Sequence, residues 1–353
     1  MNLSTKIIIP LSLPVLILAG LYVYWQTAPP EKTCVSCHEI QGAHDIWAES
    51  PHRDIDCAEC HGTATSSGLH SIKEKTRMIF THFGGTVVEE IHLTEEQVNG
   101  TMNRCKDCHA REYANWLSSG HSATYSAIFL NKEHNQQEQL SPSCLKCHGM
   151  YYEGRIEDLV EPLDIAGSWR LVDPEMASRP TIPCMACHHI HVQGTPAVRP
   201  DYGNPASIAI KRPERSARIG FYDRYEKMHF AASELPVLRL SDSNGPVQVA
   251  ADERQRICIQ CHAPNGFHQA GTSDDRTPRG VHEGLSCSAC HATHSNDAKN
   301  SCSNCHPRLS NCGLDVTTMN TTNFNTASPN NIHFVACSDC HTNAFLRGLR
   351  RQH

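Results

Sequence analysis

The sequence predicts a mainly α chain with much loop, in which short helices wrap an interior that their own side chains do not supply. Three observations lead there. Hydrophobic types make up only 39% of the 353 residues, with 19 cysteines counted among them, and aromatics only 6%. Twenty prolines and 21 glycines break the chain into turns. One pattern, C-x-x-C-H, recurs through most of the chain.

It occurs nine times. The first copy is Cys34, Cys37 and His38, and the second is Cys57, Cys60 and His61. Cys105, Cys108 and His109 follow, then Cys144, Cys147 and His148, then Cys184, Cys187 and His188. The last four are Cys258, Cys261 and His262; Cys287, Cys290 and His291; Cys302, Cys305 and His306; and Cys337, Cys340 and His341. This is the attachment signature of a c-type haem. Two cysteines three apart on one turn bring both sulfurs to the same porphyrin edge, and the next residue places its imidazole on the iron. A zinc site gives no reason for a histidine after every pair. A disulfide framework does not fit either, since 18 of the 19 cysteines lie inside the motifs and only Cys312 stands outside. Nine covalently attached haems c, large flat apolar rings, would then be the missing core of a multihaem cytochrome c wrapped around stacked haems.

Residues 1–29 read as a signal-anchor. Ile7 to Trp25 is a run of 19 residues without charge, long enough to cross a bilayer core as one transmembrane helix. Lys6 precedes it, and Tyr22, Tyr24 and Trp25 close it like an interfacial belt. A cleaved signal peptide is the competing reading, but no A-x-A site is present and Pro29 and Pro30 follow Ala28. Either way the bulk of the chain is expected in the periplasm or outside the cell. The net charge of −6 and the lack of a basic stripe exclude a nucleic-acid partner.

Downstream the chain repeats itself. Trp47, Ser50 and His52 follow the first motif as W-x-x-S-x-H, and Trp116, Ser119 and His121 follow the third in the same register. His52 and His121 are thereby candidate distal ligands. An anchor, then C-x-x-C-H, W-x-x-S-x-H and C-x-x-C-H, resembles the NapC/NirT/NrfH family of membrane-anchored quinol dehydrogenases over roughly residues 5–150. The same stretch is similar to cytochrome c554-type modules, which share W-x-x-S-x-H and C-x-x-C-H-G, matched here at Gly62 and Gly149. The resemblance implies electrons taken from quinol, or another membrane donor, and passed to a periplasmic redox protein. It also implies a membrane-lying helix over 71–83, with Lys73 or Lys75 near quinol; a solvated helix face reads as well. The family's first haem often has methionine two residues after the motif histidine. Ile40 stands there, leaving His44 as the available substitute. The expected organisation is an anchor over 1–29, a NapC/NirT-like four-haem module over 30–150, and a five-haem module over 151–353.

Candidate distal ligands in the second half are His191 and His294, each three residues after a motif histidine. His229, His268, His282 and His333 complete the set; His282 and His333 sit just before a motif, as His52 does. One of His70, His82 and His92 is a further ligand. Residues 150–183, rich in acids, read as an exposed loop, with a hairpin insertion or docking surface as the alternatives. With 24 histidines and nine in motifs, bis-histidine ligation can be met throughout, and such irons shuttle electrons without binding substrate. An electron conduit is therefore preferred. Its rivals are an oxidoreductase with one open haem, of hydroxylamine-oxidoreductase or nitrite or sulfur-oxyanion reductase type, and an extracellular conductive polymer.

Overall fold

The computed structural model describes residues 3–27, 35, 37–63, 71–85, 92–192, 218–237, 240–242, 245–247, 250, 252–262, 286–291 and 294. Helix and loop dominate them, and the strands form two-stranded hairpins. The chain divides into two compact units: Met1–Cys108 with Ile190–Val192, and His109–His189 with Gln193–His353.

The first unit is helical. Helix α1 covers Leu3–Thr27, and its described side chains, from Leu13 to Tyr24 and at Thr27, are all exposed. Over the described residues no helix is long and apolar enough to cross a membrane. Helix α2 (His38–Ala48) begins on the first motif and α3 (Cys57–His61) is the second. Asp56 starts α3 by accepting the Ala58 amide at 2.8 Å, the usual N-cap solution for an orphan donor. Helix α4 (Ile72–Phe83) is capped by Ser71. Its Ile72, Ile79, Phe80 and Phe83 side chains are all exposed, Phe83 at 83%. The apolar face expected from the sequence is therefore formed and uncovered. Helix α5 (Glu95–Cys108) opens on a capping box, in which Thr94 and Gln97 each bind the other's backbone amide. It buries Val98 and Met102, and Arg104 reaches back to the Cys60 carbonyl.

In the second unit, α6 (Ala110–Leu117), α7 (Tyr125–Phe129) and α8 (Lys132–Asn135) are followed by α9 (Ile156–Leu159). Strands β1 (Val160–Glu161) and β2 (Arg170–Leu171) pair antiparallel. Here the sequence reading needs correcting. Residues 150–183 are not a plain exposed loop. Ile156, Leu159, Val160, Leu171 and Met176 pack with Tyr125, Phe129, Leu140 and Leu145 into an ordinary hydrophobic core. Its members come from short segments without a helical or strand period, so composition alone did not reveal it.

Strands β3 (Gly220–Asp223) and β4 (Met228–Ala231) form a second hairpin, with Tyr222 opposite His229. Asp223 closes its turn by accepting the Tyr225 and Glu226 amides. Gly220 is required for close approach: a Cβ there would lie 2.4 Å from the Phe230 carbonyl oxygen. Its amide donates to the Cys187 carbonyl, and the His189 amide donates to Arg218. The hairpin is thus laced to the fifth motif. Strands β5 (Leu240–Asp242) and β6 (Gly245–Val247) pair likewise, and α10 (Arg254–Cys258) and α11 (Cys287–Cys290) carry the sixth and seventh motifs.

Candidate haem-ligating sites

Each described C-x-x-C-H sits on a single turn of α or 3-10 helix or at a helix end, as in α3, α10 and α11. The glycines after the second and fourth motifs have a backbone reason. Gly62 and Gly149 have φ of 79° and 139°, conformations that side chains rarely adopt. They let the chain turn away sharply once the histidine has been presented.

The W-x-x-S-x-H repeat also has a local cause, and it lies in the serine. Ser119 is buried, donates to the Trp116 carbonyl at 2.7 Å and accepts the His121 amide at 3.2 Å. Ser50, equally buried, accepts the His52 amide at 3.0 Å, and its own amide donates to the Trp47 carbonyl. The tryptophan ends a helix, the serine locks the turn, and the histidine is aimed. Replacing Ser119 with Ala should lower the thermal midpoint by the loss of a hydrogen bond, about 1 kcal/mol, with haem content unchanged.

Three motif histidines each lie near the imidazole of a histidine from outside the motifs. In the first unit, the His61 and His191 ring centroids lie 5.8 Å apart. In the second, His121 and His262 are 5.9 Å apart, and so are His188 and His294. An iron held between two imidazoles would need ring centres about 6 Å apart, given metal–nitrogen bonds of about 2 Å. Every pair joins a motif histidine to a histidine from elsewhere in the chain. The tautomer of His191 follows from the Ala43 carbonyl, 3.2 Å from Nδ1, which takes that proton and leaves Nε2 for a metal.

Four of these rings, His121, His188, His191 and His294, are biased toward the neutral form, the form that binds iron. Burial pushes His121 and His188 down to about 4; His262 and His294 add to this at His121, and His294 and His109 at His188. Burial likewise lowers His148, His191, His291 and His294. Buried imidazole Nδ1 of His148 has no hydrogen-bond partner among the described residues. Within the second unit, His109, His121, His148, His188, His262, His291 and His294 act on one another's charge in a continuous series.

The cysteines are also grouped. Among the described residues none forms a disulfide. The Cys147 sulfur lies beside that of Cys261, and the Cys258 sulfur beside that of Cys287. The sixth motif therefore touches both the fourth and the seventh. Burial, with Cys258 and Cys184 nearby, pushes Cys187 up to about 12. Nowhere among the described residues do three His, Cys, Asp or Glu side chains converge as a metal-ion site. A donor set of two opposed imidazoles beside two cysteines fits haem, whose porphyrin supplies the other four nitrogens.

Other candidates are placed differently. His229 directs Nε2 to the Met185 carbonyl at 2.7 Å and stacks on His189 at 4.5 Å. Beside it, the Tyr151 and Tyr222 rings stack 4.0 Å apart. His44 lies 5.4 Å from the Trp47 ring. His82 Nδ1 bonds Glu39 at 2.5 Å, and His52 and His92 are half-buried. Cys34, His70, His268, His282, Cys302, Cys305, His306, Cys312, His333, Cys337, Cys340 and His341 lie outside the described residues, as do the side chains of His38 and Cys290.

Residues 104–161 and 221–292 match the family described as Cytochrome c554 and c-prime. The chain carries a c-type cytochrome module. The matched segments hold the third, fourth, sixth and seventh motifs together with His121, so the module's cofactor is covalently bound haem c and its work is electron transfer. Neither the curated proteins nor the solved structures offer a match.

Proposed function

We propose that this chain is a membrane-anchored, periplasmic nonahaem cytochrome that carries electrons along a haem chain, from quinol or a membrane donor to a periplasmic acceptor. The observation that carries the reading is the opposed-imidazole geometry. An iron with two imidazoles has no vacant position for substrate, so it exchanges electrons and does no bond chemistry. Haem supplies the one-electron couple when bound; the polypeptide does the rest. The cysteine pairs would hold the porphyrin edges, the neighbouring imidazoles would bind the irons, and burial would keep water from them.

The grouping of sulfurs from the fourth, sixth and seventh motifs supports close porphyrin edges there, hence rapid exchange between them. For the membrane side, the support is the uncharged run Ile7–Trp25 and the exposed apolar face of α4, flanked by Lys73, Lys75 and Arg77. The test is spectral and kinetic. Detergent-solubilised full-length protein should show nine haems, only low-spin ferric signals, and reduction by a quinol analogue. A substantial high-spin fraction would favour the enzyme reading, and failure with quinol would remove the proposed donor.

A further inference from the structure

A buried carboxylate joins two of the haem-attachment helices. Asp252 is 8% exposed and sits just before α10, which ends on Cys258. Its carboxylate accepts Arg254 Nε and a second guanidinium nitrogen, both at 2.9 Å. It also accepts the Ser286 hydroxyl at 2.7 Å and the Ser288 hydroxyl at 3.3 Å. Ser286 is the buried N-cap of α11, which begins on Cys287. One side chain therefore fastens the starts of the sixth and seventh motifs together, whose first cysteines lie side by side.

The group stays ionised where it is. Burial alone would raise its pKa, but the bonds from Arg254 and Ser286 hold it below the usual carboxylate range. A fixed negative charge in a low-dielectric interior acts strongly over short distances. Ferric haem carries one more positive charge than ferrous haem, so such a charge stabilises the oxidised form and lowers the potential.

We propose that Asp252 sets the potentials of the two haems attached at Cys258/Cys261 and Cys287/Cys290, holding both low as a pair. The proposal rests on the haem-chain reading above, and a pyridine haemochromogen count tests that reading separately. The experiment is a spectroelectrochemical titration of the full-length, haem-loaded protein. Asp252→Asn keeps the shape and an acceptor for Ser286 but removes the charge; it should move two one-electron waves upward and leave the others in place. Arg254→Gln strips the countercharge and lets burial raise the carboxyl's pKa, so the same two waves should become pH-dependent, lower where the carboxyl is ionised at alkaline pH and higher where it protonates. Ser286→Ala cuts one link between the helices without altering charge, and should leave the waves where they were. Unmoved waves in Asp252→Asn, or equal movement in Ser286→Ala, would overturn the assignment. Should Asp252→Asn fail to take up its haems, Arg254→Gln decides: two waves that become pH-dependent support the role, and none doing so rejects it.

Discussion

Replacing His121 with Ala should leave every haem attached and convert one of them from low to high spin. The expectation follows from position. His121 faces the motif histidine His262 with ring centroids 5.9 Å apart, in surroundings that hold it neutral. The cysteines carry the covalent bond, so losing the opposite imidazole costs ligation and not attachment. The altered iron should bind cyanide or carbon monoxide that the parent protein excludes, and added imidazole should restore the low-spin spectrum by filling the truncated site. Electron paramagnetic resonance of the ferric protein reads the change directly. An unchanged low-spin spectrum would remove His121 from the ligand set.

Phe129→Ala should cost about 3–5 kcal/mol of stability, the range for emptying a well-packed aromatic site. Phe129 is fully buried, stacks 6.0 Å from the Tyr125 ring, and lies in the core that ties α7, α9 and the β1–β2 hairpin together. The buried Asn135 side chain donates to its backbone carbonyl at 2.8 Å, so collapse around the void would strain that bond as well. Denaturant midpoints of the loaded protein give the measurement. A shift below about 1 kcal/mol would mean that bound haem, and not this cluster, holds the second unit together.

The attachment sites were legible because covalent chemistry dictates their spacing: no fold is needed to see that Cys184, Cys187 and His188 belong together. The turn that aims His121 was half legible. Its tryptophan and histidine stood out by repetition, while the serine's double hydrogen bond appeared only with coordinates. Which histidine meets which motif was not legible at all. His191 was a candidate because it stands three residues after His188, yet the ring opposite it is His61. That pairing depends on how distant segments return to one another, and no local period encodes it. The apolar cluster around Phe129 was missed for the same reason, and Asp252 because a lone acid before a motif looks like any solvated residue.

The nearness of Cys258 to Cys287, and of Cys147 to Cys261, bears on the order of events in assembly. Outside a reducing cytoplasm, free sulfurs so placed would oxidise to one another and bridge the wrong motifs. In an oxidising compartment, thioether formation would therefore have to outrun collapse of the polypeptide. Maturation, more than the final equilibrium, then decides whether the chain ends as a conductor or as a cross-linked dead end.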